Sequence, residues 1–408
     1  MDAEASRPAP TPRVALVHAQ TRRTLLLAGA FAMSAALTTV VPHRTGAWLP
    51  LHLFLAGSLV LAISGATRLF VVTWSAADPV TGAPVYVQRW LCAFGAAGIA
   101  LGRELDGPKA VPAGAGVLLV AGLALLLGLL VVEGARGRVR RFHPALRFYL
   151  VGIAFGIVGG SLGGAMVAAG SAVRDAHAVV NLLGFVGIVI AGTLPSFVAT
   201  QGRMKMSRRA TPRRLNATLV LLTCSVSTAA IAGASGHPRL VTLGLLTYAA
   251  ALAHLLTVLP RPAAKQLGWA GPRLIQIGLG VAWWIGVVVA AAVDAWDGGQ
   301  VLGTRLAVTL ALGGYAQILL GSVAYLVPVL LGGGHERLAA GFTATRSWPA
   351  VLATNTAVVA WIVGAHELMI VAVVATAADA TVRAIRLRLR MRAAARAITL
   401  TRAPGRWL

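Results

Sequence analysis

Apolar residues in this chain neither alternate nor keep to one helical face. They run on in blocks of about eighteen or more, separated by short breaks that carry Pro, Gly and charge. A helix rising 1.5 Å per residue needs a block of that length to cross roughly 30 Å of hydrocarbon. Twelve blocks qualify, at 24–41, 50–72, 85–102, 111–132, 145–170, 176–200, 215–235, 239–259, 274–293, 304–331, 347–364 and 366–382. The predicted fold class is all-α, a polytopic integral membrane bundle of about twelve transmembrane helices. No connection between blocks much exceeds about a dozen residues, so 24–382 reads as one membrane domain between a basic arm, 1–23, and a basic tail, 383–408.

Charge orients this pattern. Of the 36 Lys and Arg residues, only six (Arg44, Arg103, Lys109, Arg174, Arg239 and Arg305) fall on one side of the blocks, and the other thirty fall opposite. Basic residues stay on the cytoplasmic side of a membrane, which predicts a plasma-membrane protein with both termini cytoplasmic. The twelve acidic residues divide evenly, so the formal +24 collects on the inner face. There it holds topology and meets anionic lipid; nucleic acid is not needed to explain it. Arg383, Arg386, Arg388, Arg390, Arg392 and Arg396 suggest a tail that continues as an amphipathic surface helix. The first block lacks a small-residue cleavage site and reads as an uncleaved helix. With 57% hydrophobic and 12% charged residues, a soluble catalytic domain is excluded.

Small and polar residues inside the blocks carry the rest of the information. Gly152, Gly156, Gly160 and Gly164 form a four-residue stripe, continued by Ala168, which predicts a close helix–helix seam or a surface for a flat cofactor. Cys92 and Cys224 lie in mid-helix with no CxxC spacing and read as packing thiols. Among the histidines, His18, His143, His335, His43 and His237 fall in arms or loops and are expected to be solvated. His52, His177 and His366 begin the second, sixth and twelfth blocks on the outer side, and His254 lies within the eighth.

Polar groups inside a bilayer are costly unless paired, so these are the site candidates. His177, Asn181 and Gly184 share one helical face, where imidazole could ligate haem iron or copper with Asn181 supporting it. His52 stands above Gly57 in a similar run, and Met166 and Met369 are expected at comparable depth. Thioether together with imidazole suits copper. The candidate metal ligands are therefore His52, His177, His366 and Met166, with His52, His177 and Asn181 at a haem or copper cofactor. The bland alternative is hydrogen bonding of each imidazole to water, lipid or a carbonyl. Serine-elbow, P-loop and HExxH patterns are absent from the sequence, and paired membrane carboxylates are not expected.

Three stretches resemble the polytopic membrane region of actinobacterial multicopper-oxidase fusion proteins, which are similar to copper nitrite reductases. They are Trp48-Leu-Pro-Leu-His52-Leu-Phe-Leu-Ala-Gly57, His177-Ala-Val-Val-Asn181-Leu-Leu-Gly184-Phe-Val-Gly187 continuing to Gly192-Thr193-Leu194, and the run from Ala316-Gln317 through Tyr325 and Pro328 to Gly332-Gly333-Gly334. More distantly, histidines on the second and sixth of twelve helices are similar to those of haem–copper oxidase subunit I and of the NnrS family. That resemblance implies a low-spin haem ligand at His52 and a copper ligand at His177. The seventh block lacks the oxidase's adjacent histidine pair, and Gln317 stands where haem-ligating histidines would be. The resemblance also implies an exported multicopper oxidase as partner, because no soluble copper domain is present in this chain.

The functional expectation is a redox- or metal-associated membrane protein that binds haem or copper near its outer face, in copper handling, electron transfer or a nitrogen-oxide response. A small-solute transporter, hinted at by Pro195 and Pro328, and a non-catalytic scaffold that has lost its ligands are the alternatives. Whether the chain is an enzyme is left open.

Overall fold

The computed structural model describes residues 12–169 and 173–402; the start of the arm with Arg7, positions 170–172 and the end of the tail with Arg406 lie outside the described residues. Within them every regular element is helical. In chain order these are α1 (Pro12–Leu37), α2 (Trp48–Trp74), α3 (Ala83–Glu104), α4 (Ala110–Ala135), α5 (His143–Ala169) and α6 (Arg174–Gln201). They continue as α7 (Pro212–Ala234), α8 (Pro238–Val258), α9 (Ala264–Ala270), α10 (Pro272–Trp296) and α11 (Thr304–Leu331). The last three are α12 (Gly334–Ala344), α13 (Trp348–Ile362) and α14 (His366–Arg402).

Ten of these helices, α2 to α8 with α10, α11 and α14, are long and apolar enough to cross a membrane. Large apolar side chains stay on their outsides: Val117 and Ile231 are each 68% exposed, which suits lipid and not water. The chain is an all-α, multi-pass membrane protein. The predicted block 24–41 is the later part of α1, which already begins at Pro12 inside the predicted arm. The block 347–364 coincides with α13, whose 15 residues span only about 22 Å. Past 383 the tail does not start a new helix, because α14 runs unbroken to Arg402. Two short helices, α9 and α12, fill stretches that the pattern leaves as loops.

The helices group into two compact units, residues 1–31 with 55–192 and residues 32–54 with 193–408. In the first, α3 packs along α4, and α4 and α6 pack along α5. Its least expected feature is an ion pair sealed in apolar surroundings. Arg68 of α2 is 4% exposed and Glu133 of α4 is fully buried. Arg68 Nε donates to both carboxylate oxygens at 3.2 Å, and the Val80 amide donates to Glu133 Oε1 at 3.0 Å. Arg68 Nη2 also donates to the Val80 carbonyl at 3.0 Å, so the pair pins the α2–α3 connection to α4.

The glycine stripe of α5 is a seam, but not along the predicted line. A Cβ on Gly152 would lie 2.7 Å from Val189, one on Gly156 2.9 Å from the Phe185 ring, one on Gly159 2.5 Å from the Asn181 amide, and one on Gly163 2.9 Å from the His177 ring. Gly160 faces Val120 of α4 instead, and Gly164 faces open space. With 3.6 residues per turn, a row of fours drifts around the helix, so the contact line steps back by three at Gly159.

Three helices share an internal pattern. Each of α2, α6 and α11 opens with five or six α-helical residues and then widens into a π-helical stretch, Leu53–Leu59, Val180–Gly187 and Leu310–Ala316. Gly57, Gly184 and Gly314 take the same place within these stretches, and Gly65, Gly192 and Ser322 follow at one common spacing. Each helix sets a glycine against the helix before it in the chain: Gly57 against Phe31 of α1, Gly192 against Phe148 of α5, and Gly314 against Gly280 of α10. Three crossings separate one such helix from the next, so a four-crossing pattern recurs along the chain.

Two outcomes follow from this packing. Glu133→Ala is expected to cost about 3–5 kcal/mol by stranding Arg68, while replacing both partners with apolar residues recovers most of that; thermal unfolding in detergent measures both. Gly156→Leu is expected to destabilise by about 1–3 kcal/mol, and Gly164→Leu to leave the melting temperature near that of the parent.

Candidate functional site

His177 lies in the first unit, one turn into α6. Asp175 sits favourably in the first turn of that helix and pairs with Arg174 at 2.6 Å. The half-buried His177 ring lies on the glycine face of α5, where any larger residue at Gly163 would meet it. Its Nδ1 is 2.9 Å from the Gly159 carbonyl. A carbonyl only accepts, so Nδ1 carries the proton, and Nε2 keeps its lone pair for a metal or a donor. The Asn181 amide donates to the His177 carbonyl at 2.9 Å, one turn back, and its Nδ2 also lies 3.2 Å from Nδ1, farther than the Gly159 carbonyl. The π-helical stretch begins three residues beyond the imidazole, at Val180. Such stretches re-aim side chains and break the regular hydrogen-bond ladder, and they recur at functional positions.

His52 lies in the second unit and repeats the chemistry by other means. Its Nδ1 is 2.9 Å from the Trp48 carbonyl one turn earlier, and its ring stacks on the Trp48 indole at 3.9 Å with an interplanar angle of 24°. The ring is thus fixed in both tautomer and plane, and the π-helical stretch starts at the very next residue, Leu53. Both histidines are expected candidates, and each has the support that metal-binding imidazoles generally have, an Nδ1–H held by a backbone carbonyl.

The other candidates stand apart. His366 is exposed at the start of α14 and meets Trp361 edge-on at 5.8 Å. Met369 packs into an apolar cluster with Ala357, Ala372 and Val373, and Met166 is half-buried on α5. Among the described residues, no three His, Cys, Asp or Glu side chains come together. His254 bonds to Thr218 Oγ1 at 2.9 Å, as a packing residue would. His18 is not a solvated arm residue: it is half-buried in α1, and burial, with Arg22 adding, holds its imidazolium below the ordinary pKa. Cys92 is buried and Cys224 exposed, both as free thiols.

Gln317 has a structural use. It is fully buried and exchanges amide hydrogen bonds with Asn355 of α13, whose Nδ2 donates to Gln317 Oε1 at 3.1 Å while Trp283 of α10 donates to Asn355 Oδ1 at 2.9 Å. This network clamps three helices of the second unit. It was not foreseen, although an Asn and a Gln inside apolar blocks were a signal for it.

Chemically, the arrangement offers two imidazoles of fixed tautomer near the starts of two membrane helices, one of them packed on a glycine face. Compared with known protein families and with curated proteins, the sequence matches neither a family nor a protein.

Proposed function

We propose that this membrane protein binds haem or copper through His177 in the first unit, with His52 a separate candidate ligand in the second. The observation that carries this reading is the shared state of the two rings. Each sets Nδ1 2.9 Å from a backbone carbonyl, the support that metal-binding imidazoles generally have. The donor set fits a metal that takes neutral imidazole, either copper or haem iron. Gly159 and Gly163, with no side chains, let Asn181 and the His177 ring lie directly against α5. When bound, such a metal supplies one-electron chemistry. The residues here hold and orient the imidazole, and Asn181 fixes the backbone from which it projects. Passing electrons or copper to an exported multicopper oxidase fits this reading, as does a role in a nitrogen-oxide response.

A second reading, a small-solute transporter, is favoured by the π-helical interruptions together with Pro195 inside α6 and Pro328 inside α11, since transporters build sites at broken helices. Protein purified from its native membrane separates the two by metal analysis and an optical spectrum. The expected result is bound copper or a haem Soret band, lost in His177→Ala and weakened or shifted in His52→Ala. Folded parent protein that is colourless and free of metal would sink the metal reading and favour transport.

A further inference from the structure

Three arginines of the second unit come together without a carboxylate. Arg203 follows α6, Arg273 is the second residue of α10, and Arg346 lies between α12 and α13. Two crossings separate each from the next, α7 with α8 and then α10 with α11, so one face of the membrane receives all three. Trp269 of α9 gathers two of them. The Arg203 guanidinium lies 3.3 Å from the indole ring centre and that of Arg346 6.0 Å. Arg346 also donates to the Gly268 carbonyl at 3.3 Å and to the Trp269 carbonyl, and lies beside Gly271, whose φ of +58° disfavours any side chain there. Arg203 and Arg346 are exposed, whereas Arg273 is only 1% exposed. It packs over the rings of Phe342 at 4.8 Å and Tyr325 at 5.8 Å, within reach of Coulombic repulsion from both other arginines.

The Arg273 donors are largely unspent. Nε donates to the Ala270 carbonyl at 3.1 Å, but Nη1 and Nη2 are buried with no partner. The indole N–H of Trp269 and the amide of Gln276, one turn along the same face of α10, are in the same condition. No ion pair among the described residues reaches any of the three arginines. Asp379, which accepts from Ser347 next to Arg346, is held by Arg383 at 2.7 Å. A buried guanidinium with both terminal nitrogens bare costs several kcal/mol at the low dielectric of a membrane protein, and two like charges add to that. Water would satisfy the N–H groups and leave the charge uncompensated.

We propose that this cluster is a binding site for a phosphate group, with Arg273 as its floor and Arg203 and Arg346 as its rim. A guanidinium fork gives two parallel N–H bonds to a tetrahedral oxyanion, and the amino end of the 25-residue α10 adds its partial positive charge. The chemistry is shared by the headgroup of an anionic phospholipid and by free phosphate.

The test uses the full chain in two arms: nanodiscs of phosphatidylcholine with or without phosphatidylglycerol, and detergent solution titrated with inorganic phosphate against chloride at equal ionic strength. Lipid retention by native mass spectrometry and ligand-dependent melting are the readouts. One of the two phosphate probes is expected to bind. Arg203→Gln and Arg346→Gln, both at exposed positions, should each weaken it roughly tenfold with the melting temperature of the unliganded protein as the folding control, and Arg273→Gln should abolish it. Arg261→Gln, at an exposed arginine outside the cluster, should change it less than about twofold. Phosphatidylglycerol retained against excess inorganic phosphate identifies a lipid headgroup; displacement by phosphate identifies the free anion. The proposal is overturned if neither probe binds better than its control, or if the two rim variants bind as the parent does.

Discussion

Hydrocarbon offers no partner to a backbone N–H or C=O, and the whole structure follows from that constraint. It makes every segment at membrane depth helical. It also removes the force that would bring helices together, because lipid is as apolar as leucine. What remains is close approach and polar clamping. Between α5 and α6 the backbones meet across Gly152, Gly156, Gly159 and Gly163. In the second unit an Asn–Gln exchange joins α11 to α13, with a tryptophan of α10 bonded to it. The sealed Arg68–Glu133 pair applies the same logic with charge, its carboxylate oxygens met by guanidinium and amide donors.

Legibility from sequence divides along physical lines. Hydrophobic length is a one-dimensional property, so the predicted block 304–331 coincides with α11, and most other block ends fall within a few residues of helix ends. Three-dimensional register is not. The α5 stripe was visible, yet which glycines meet α6 depends on helical drift, and this brings Gly159 and Gly163 into play. Arginines counted as topology signals hide two further uses. Arg68 reads as a residue of a basic flank until Glu133, 65 positions away, is brought to it. Arg273 reads the same way until its two terminal nitrogens are found buried. At the site, spacing alone linked His177 to Asn181, but the partner that fixes the ring's tautomer is a carbonyl of another helix. Side-chain type announces such candidates; backbone partners stay invisible until the helices pack.

The π-helical stretches connect architecture to chemistry. A regular helix repeats its side-chain directions every turn, and a wider turn resets them. Placing such a turn just after His52, and again three residues after His177, changes which neighbours the following residues meet without moving the imidazoles themselves. In α2 the glycine within the stretch, Gly57, lets the wider turn lie against Phe31 of the preceding helix, where a Cβ would collide. In α11 the same turn leads directly to Gln317, which serves packing. The recurring four-crossing pattern thus carries one geometry to three places, with different side chains at each.

The unbroken course of α14 has a mechanical consequence. Its 37 residues make a rod of about 55 Å, while the hydrocarbon is only about 30 Å thick. Leu387 and Met391 seat this rod against Ala344 of α12, and Arg383 locks to Asp379 one turn nearer the membrane. No hinge separates span from tail, so a tilt within the bilayer swings the arginine-bearing end through a larger arc. The basic terminus is therefore continuous with the membrane span and takes its direction from it.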